Sequence, residues 1–244
     1  MEVDHAEMKI TTRGLPPVIN PPDETALEAA LQLTEKHGGK ITVISVGDNL
    51  SVPVLRKALA AGAHELVLVQ DEGFKDLDEY STALVLSKAV QRTGEYDLIL
   101  TGREGADWNS GQVGLILSEI LGIPAVNLAK KIELSDKEIY VTKVALGSSE
   151  IVKTTIPALI TVTNEFGEPR YVSLTALKSA RTKPITFWNA KDIEVDPSTL
   201  KKRNIASLFK PVRERKCTFI EGKTLEEISK NLKLKLFEML KNNS

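Results

Sequence analysis

This chain has little of what catalytic or secreted proteins usually depend on. Its 244 residues include one cysteine, Cys217, so no intrachain disulfide can form. The three histidines, His5, His37 and His64, are too few and too scattered for a metal site, and no residue is assigned a catalytic role. Aromatic residues make up 5%, and no apolar run approaches the roughly 18 residues that a membrane-crossing helix needs. Charge of one sign is missing too: 32 Lys plus Arg stand against 33 Asp plus Glu, a net charge of -1 whose weak field argues against nucleic acid as a partner. There is no G-x-x-x-x-G-K-[ST] phosphate loop, no G-x-G-x-x-G after a strand, no C-x-x-C and no H-E-x-x-H. The polar stretch from Met1 to Thr12 is unlike a signal peptide, so a reducing, cytoplasmic setting is the expectation.

What is present suffices for a large core. Hydrophobic residues are 42% of the chain, and a protein of this size buries about 70% of its unfolded surface without metal or disulfide support. Apolar runs alternate with helical patterns from residue 20 onward. Asp23 to Lys36 puts Ala26, Leu27, Ala30, Leu31 and Thr34 on one stripe, between Pro21-Pro22 and Gly38-Gly39. Ile41 to Val46, Leu66 to Val69 and Asp97 to Thr101 read as buried strands, and helices are expected over Ser51 to Ala61, Tyr80 to Arg92 and Asn109 to Leu121.

Right-handed crossovers predict that these three strands lie parallel in one doubly wound, mostly parallel α/β sheet, with ligands at its C-terminal edge. Beyond residue 130, Ile132 to Leu134, Ile139 to Val144 and Glu150 to Thr154 alternate with a period near two, as a small antiparallel hairpin element does. Ala158 to Val162 is expected to rejoin the main sheet, followed by a short helix over Ser173 to Arg181. Lys183 to Pro211 has few periodic apolar residues and reads as a tract that wraps something. Thr224 to Leu240 is an amphipathic helix, with Leu225, Ile228, Leu232, Leu236, Met239 and Leu240 on one side and lysines on the other. The organisation expected is a nucleotide-binding α/β domain over 1–185 and an extended arm and helix over 186–244.

Three loops are candidates for one pocket. Asn20, stiffened by the prolines after it, carries an amide able to donate and accept, as an adenine edge or a ribose requires; the alternative is a plain helix start. Ser45 to Gly47 ends a strand where glycine lets backbone approach a ligand, or where the chain simply turns. Gly102 to Gly114 is a strand end, a glycine-rich loop and a helix start. Its backbone N–H groups and helix dipole make an anion site without lysine. In this loop Asp107 suits ligand hydroxyls or a helix cap, and Arg103 suits phosphate or Glu104.

With these loops in view, the chain resembles the β subunit of electron transfer flavoprotein over about residues 2 to 185. Asn164-Glu-Phe-Gly-Glu-Pro-Arg-Tyr171, then Ser173-Leu174 and the basic stretch Lys178 to Lys183, is similar to that family's N-E-P-R-Y signature and recognition loop. Asn20 to Glu24 with Glu28 to Leu31, Leu55 to Ala63, and Gly102 to Gly114 resemble its first helix entry, second helix and nucleotide loop.

The resemblance implies a heterodimer whose α subunit holds the working FAD, while this chain buries AMP or, in bifurcating relatives, a second FAD. It further implies that Asn20, Val43, Ser45, Val46, Gly47, Gly102, Asp107, Gln112, Val113 and Gly114 line the nucleotide site. Leu174 would anchor an acyl-CoA-type or other dehydrogenase, with Arg170 supporting the loop. Gly111-Gln112-Val113 stands where AMP-only members carry Asn-Gln-Thr, which opens room for a diphosphate and favours FAD over AMP. Trp108 replaces a residue that is usually acidic or small, and Pro22 stands where many members place an aromatic near the flavin.

Family members also open with a central strand ahead of the segment resembling Glu2 to His5. The expectation is that Met1 is an internal start or that another segment fills that place. The alternatives to an electron carrier are a stand-alone adenine-nucleotide sensor, which would not need the 170–183 loop or the last helix, and an adenylyl-transferring enzyme, disfavoured by the missing phosphate loop.

Overall fold

The computed structural model describes residues 2–4, 9–11, 14–209 and 217–242, and these fall into two units. His5 and the last two residues of the 183–211 tract lie outside them. One unit, Gly14–Asn204, holds the α/β core; the other takes the terminal segments Met1–Arg13 and Ile205–Ser244. In the second unit, β1 (Glu2–Asp4) and β2 (Lys9–Thr11) pair antiparallel, and α6 is the helix Leu225–Asn242.

In the larger unit, Pro21 and Pro22 supply the φ of a first helical turn and lack the donors that turn leaves unpaired. Asp23 and Glu24 complement its positive end, so α1 spans Pro21–His37 and stops at Gly38. The chain continues through β3 (Thr42–Gly47), α2 (Val52–Ala61), β4 (Glu65–Gln70), α3 (Glu79–Thr93), β5 (Leu98–Gly102) and α4 (Val113–Leu121). It then forms β6 (Ala125–Ser135), β7 (Glu138–Ala145), β8 (Ser148–Thr155), β9 (Ala158–Val162), α5 (Leu174–Ala180) and β10 (Thr186–Trp188).

The expected single sheet is corrected to two. One has the order β10-β4-β3, all parallel, and the other β5-β9-β6-β7-β8. β3 and β5 are end strands of different sheets, and among the described residues none before Lys40 supplies a strand to either. What spans both sheets is a helix on each face. Ala26 and Ala29 of α1 pack with Val126, Ile160 and Val162 beside Leu98 and Leu100, while Leu31 packs with Ile41, Leu66 and Leu68. On the opposite faces, Val85 and Ala89 of α3 meet Val67 and Val69, and Ala83 meets Leu117 and Leu159.

β9 is buried at every residue, as a strand with neighbours on both sides and helices over its faces should be. β6 pairs parallel with β9 at Ala125 and Val126, then antiparallel with β7 from Ala129. The change passes through Leu128 at φ 57°, whose N–H donates to Thr161 Oγ1 at 3.0 Å. The 183–211 tract is only partly irregular. β10 adds an edge strand to β4, and residues up to Asn204 belong to the larger unit.

Candidate functional site

α1 and the loop after β5 are built as one piece. Asn20 Nδ2 donates to Glu104 O at 2.9 Å and to Asp23 Oδ2 at 2.8 Å, and its Oδ1 accepts from Ala106 N at 2.9 Å. Gly102 N donates to Asp23 Oδ1 at 2.7 Å. Both ends of the Asn20 amide therefore hold the loop. Gly102 is glycine for a steric reason, since a Cβ there would lie 2.7 Å from Asp23 N, Pro22 C and Pro22 Cβ. Gly114 has a similar constraint, 2.7 Å from Thr101 Oγ1 and 3.2 Å from Thr161 Cγ2.

The helix expected from Asn109 begins only at Val113, because Asn109 and Gly111 adopt left-handed φ of 51° and 63°. Gln112 takes the N-cap position without a side-chain cap bond, and its carbonyl accepts from Ile116 N at 2.9 Å. The first-turn N–H groups of Val113, Gly114 and Leu115 have no acceptor within the helix. Beside them, Thr101 Oγ1 is buried without a hydrogen-bond partner among the described residues. Asp107 is exposed and spends Oδ1 on Trp108 N at 2.8 Å. Arg103 pairs with Glu104, the second of the two partners its position suggested.

A cavity of about 250 Å³ adjoins this loop, lined by Arg103, Glu104, Gly111, Leu115, Asn127, Leu128 and Thr161. The β3 residues stand apart from these bonds. Val43 packs with α1 and α2, and Val46 with the core beneath α3, so their side chains are spent on packing. Ser45 shares the face of Val43, and Gly47 ends the strand. Hydrogen bonds thus bring Asn20 together with the Gly102 loop, while Val43 to Gly47 belong to the other sheet and are joined to it through α1 and α3.

Arg170 is the centre of a second arrangement. Its backbone N and Nε donate to Glu28 Oε2 at 3.1 and 2.7 Å, Nη2 donates to Glu28 Oε1 at 3.0 Å, and Nη1 pairs with Glu35. Burial works to raise the Glu28 pKa, but the hydrogen bonds from Arg170 and Gln32 outweigh it and hold the carboxyl below its ordinary value. The bonds from Arg170 lower Glu35 as well, and the two carboxylates raise the Arg170 pKa. The loop then emerges with Tyr171 and Leu174 exposed, and Ser173 caps α5 by accepting from Ala176 N at 3.1 Å.

Several of the basic residues in and after this loop are structural. Lys183 Nζ caps the end of α2 at Leu59 O, 2.9 Å away. Arg56, which the sequence did not single out, donates to the carbonyls of Ala180, Arg181 and Lys183. Lys202 holds the carbonyls of Gly73 and Lys75, and Arg203 pairs with Glu79 while its guanidinium lies 4.5 Å from the Trp108 ring centre. Among the described residues no helix is long and apolar enough to cross a membrane.

One α/β unit thus carries a glycine-rich loop opening a helix without lysine, a cavity beside that loop, and an exposed segment at Tyr171 and Leu174. Residues 7–193 match the profile of the family described as "Electron transfer flavoprotein domain", and the chain belongs to that family. It is 37% identical to the electron transfer flavoprotein subunit beta of Thermoanaerobacterium thermosaccharolyticum over 82% of this chain and 77% of that one. It is 35% identical to the subunit of the same name from Bacillus subtilis over 90% and 86%. Its identity to the caffeyl-CoA reductase-Etf complex subunit CarD of Acetobacterium woodii is 30%, over 98% of this chain and 93% of that one.

Proposed function

We propose that this chain is the β subunit of a heterodimeric electron transfer flavoprotein, taking electrons from an acyl-CoA-type or other dehydrogenase and passing them on through FAD. The observation that supports this most is the family match, which takes in both the Gly102–Gly114 loop and the Asn164–Leu174 segment. The residues present fit a nucleotide. Thr101 Oγ1, buried and without a hydrogen-bond partner among the described residues, lies beside the start of α4, and three N–H groups of that helix start are free of helical bonds.

When bound, the flavin supplies the electron chemistry, and the chain's residues bind and orient. Val113 and Gly114 offer main-chain donors to phosphate, with Gln112 as the cap residue before them. Asp107 presents a carboxylate oxygen to ligand hydroxyls. Asn20 keeps the loop shaped from behind, and the main chain of Val43, Ser45, Val46 and Gly47 completes the wall from β3. The working FAD is shared with or held by the α subunit, and this chain holds AMP or a second FAD.

Residues 186–244 serve as the arm toward the α subunit, ending in α6, where Leu232, Leu236, Phe237 and Met239 are exposed. Leu174 anchors the dehydrogenase and Arg170 supports it. The setting is cytoplasmic. The test is to produce the chain with its α-type partner, purify the pair, and quantify FAD and AMP in acid extracts. A yellow pair with one FAD and one AMP, or two FAD, meets the proposal, and a colourless pair without nucleotide refutes it.

A further inference from the structure

We infer that Glu28 is a positioning residue that fixes the dehydrogenase-docking loop relative to the nucleotide loop; this rests on the reading of Leu174 as the docking anchor. Among the described residues Glu28 is the only charged side chain in the buried set, at 6% exposure. A buried carboxylate persists only when its oxygens are matched by donors. Both are matched here, Oε2 by Arg170 N and Nε, and Oε1 by Arg170 Nη2 and Gln32 Nε2 at 3.0 Å. The bond to the backbone N–H separates this from an ordinary ion pair, because it holds the main chain of the loop and not only the arginine's end.

The loop is held at its far side as well. Ser173 caps α5, and Arg56 binds the three carbonyls where α5 ends. Between these fixed points Tyr171 and Leu174 are 89% and 73% exposed, which costs apolar hydration unless a partner covers them. The other end of α1 carries Asp23, bonded to Gly102 N, five residues before Glu28 and about 7.5 Å away along the helix axis. One rigid helix therefore grips the nucleotide loop with its first turn and the docking loop with its third. A donor seated on Leu174 is held in register with whatever the Gly102 loop binds, and Glu28 sets that register.

The test uses the full chain paired with its α-type partner, as wild type, E28Q, E28A and E35Q. Three quantities are compared: KM and kcat for reduction of the pair by an acyl-CoA dehydrogenase supplied with butyryl-CoA, photochemical reduction of the flavin without dehydrogenase, and hydrogen exchange of the amides from Arg170 to Leu177. E28Q is expected to raise KM on the order of tenfold, with kcat within about twofold and photoreduction unchanged. E28A should do the same or more. E35Q, which removes a partner at the surface, should shift KM less than about twofold.

An E28Q pair whose KM equals wild type overturns the assignment, and so does one that loses thermal stability or flavin with KM unmoved, since that is a purely structural role. A wild-type pair without flavin refutes the electron-carrier reading instead, and a flavin-holding pair that this dehydrogenase does not reduce refutes an acyl-CoA-type donor. Hydrogen exchange then still decides Glu28. Faster exchange at Arg170 to Leu177 in E28Q, by about tenfold or more, supports it, and equal rates overturn it.

Discussion

Gly102→Ala separates steric necessity from conformational preference. Gly102 shows no left-handed φ, so alanine is free to adopt its backbone; the obstacle is space. The new methyl would meet Asp23 N, Pro22 C and Pro22 Cβ at 2.7 Å, all backbone or ring atoms that no rotamer change can move aside. Relief requires α1 to slide away from β5, which also lengthens the 2.7 Å bond from Gly102 N to Asp23. Overpacking costs about 1 to 3 kcal/mol, and weakening a solvent-exposed bond to a carboxylate adds about 1, giving about 3 kcal/mol in all.

For a unit of this size about 3 kcal/mol lowers Tm by roughly 6 to 12 °C. Gly122→Ala is the control. Gly122 sits at φ 68° with nothing within 4 Å of the place its new methyl would take, so it should cost only the left-handed penalty of about 1 kcal/mol, or roughly 2 to 4 °C. Thermal unfolding by circular dichroism of both variants decides the matter. If Gly102→Ala melts within about 2 °C of wild type, or no lower than Gly122→Ala, the claim that α1 and β5 touch too closely for a side chain is wrong.

Acid should distinguish wild type from E28Q. The folded pKa of Glu28 lies below its unfolded value near 4.5, so its stabilisation is complete above that value and is lost as pH falls through the folded pKa. Urea titrations at pH 6 and pH 3.5 should show wild type losing more stability than E28Q, and equal losses would contradict the pairing. A double-mutant cycle on Trp108→Ala and Arg203→Ala should give a coupling of about 0.5 to 1 kcal/mol, and additive effects would remove the ring contact from consideration. Leu174→Ala should slow reduction by the dehydrogenase while FAD and AMP content stay at wild-type levels; an unchanged rate would strip Leu174 of its anchor role.

The elements set by local chemistry are legible in the sequence. α1 is bounded by Pro21-Pro22 and Gly38, β9 is a buried apolar run, and the β6 to β8 stretch alternates with period two, all of which depend on neighbours a few residues away. The start of α4 differs from the expected one because left-handed φ at Asn109 and Gly111 leaves no trace in apolar spacing. β10 escapes sequence reading because three residues with two exposed side chains show no period. The glycine loop is visible as composition, but the use of Asn20 to hold it from behind is not.

By itself, the order of residues determined most of the helices and strands of the α/β core, and that Gly102 to Gly114 is a glycine-rich loop opening a helix. Tertiary structure alone decided that β3 and β5 end different sheets, that α1 and α3 span both, and that Arg170 finds Glu28 across 142 positions of sequence. The reason is physical. Backbone dihedrals and apolar periodicity act over a turn or two, whereas the partner of a buried carboxylate is chosen by which distant donors the packed core leaves within about 3 Å of it.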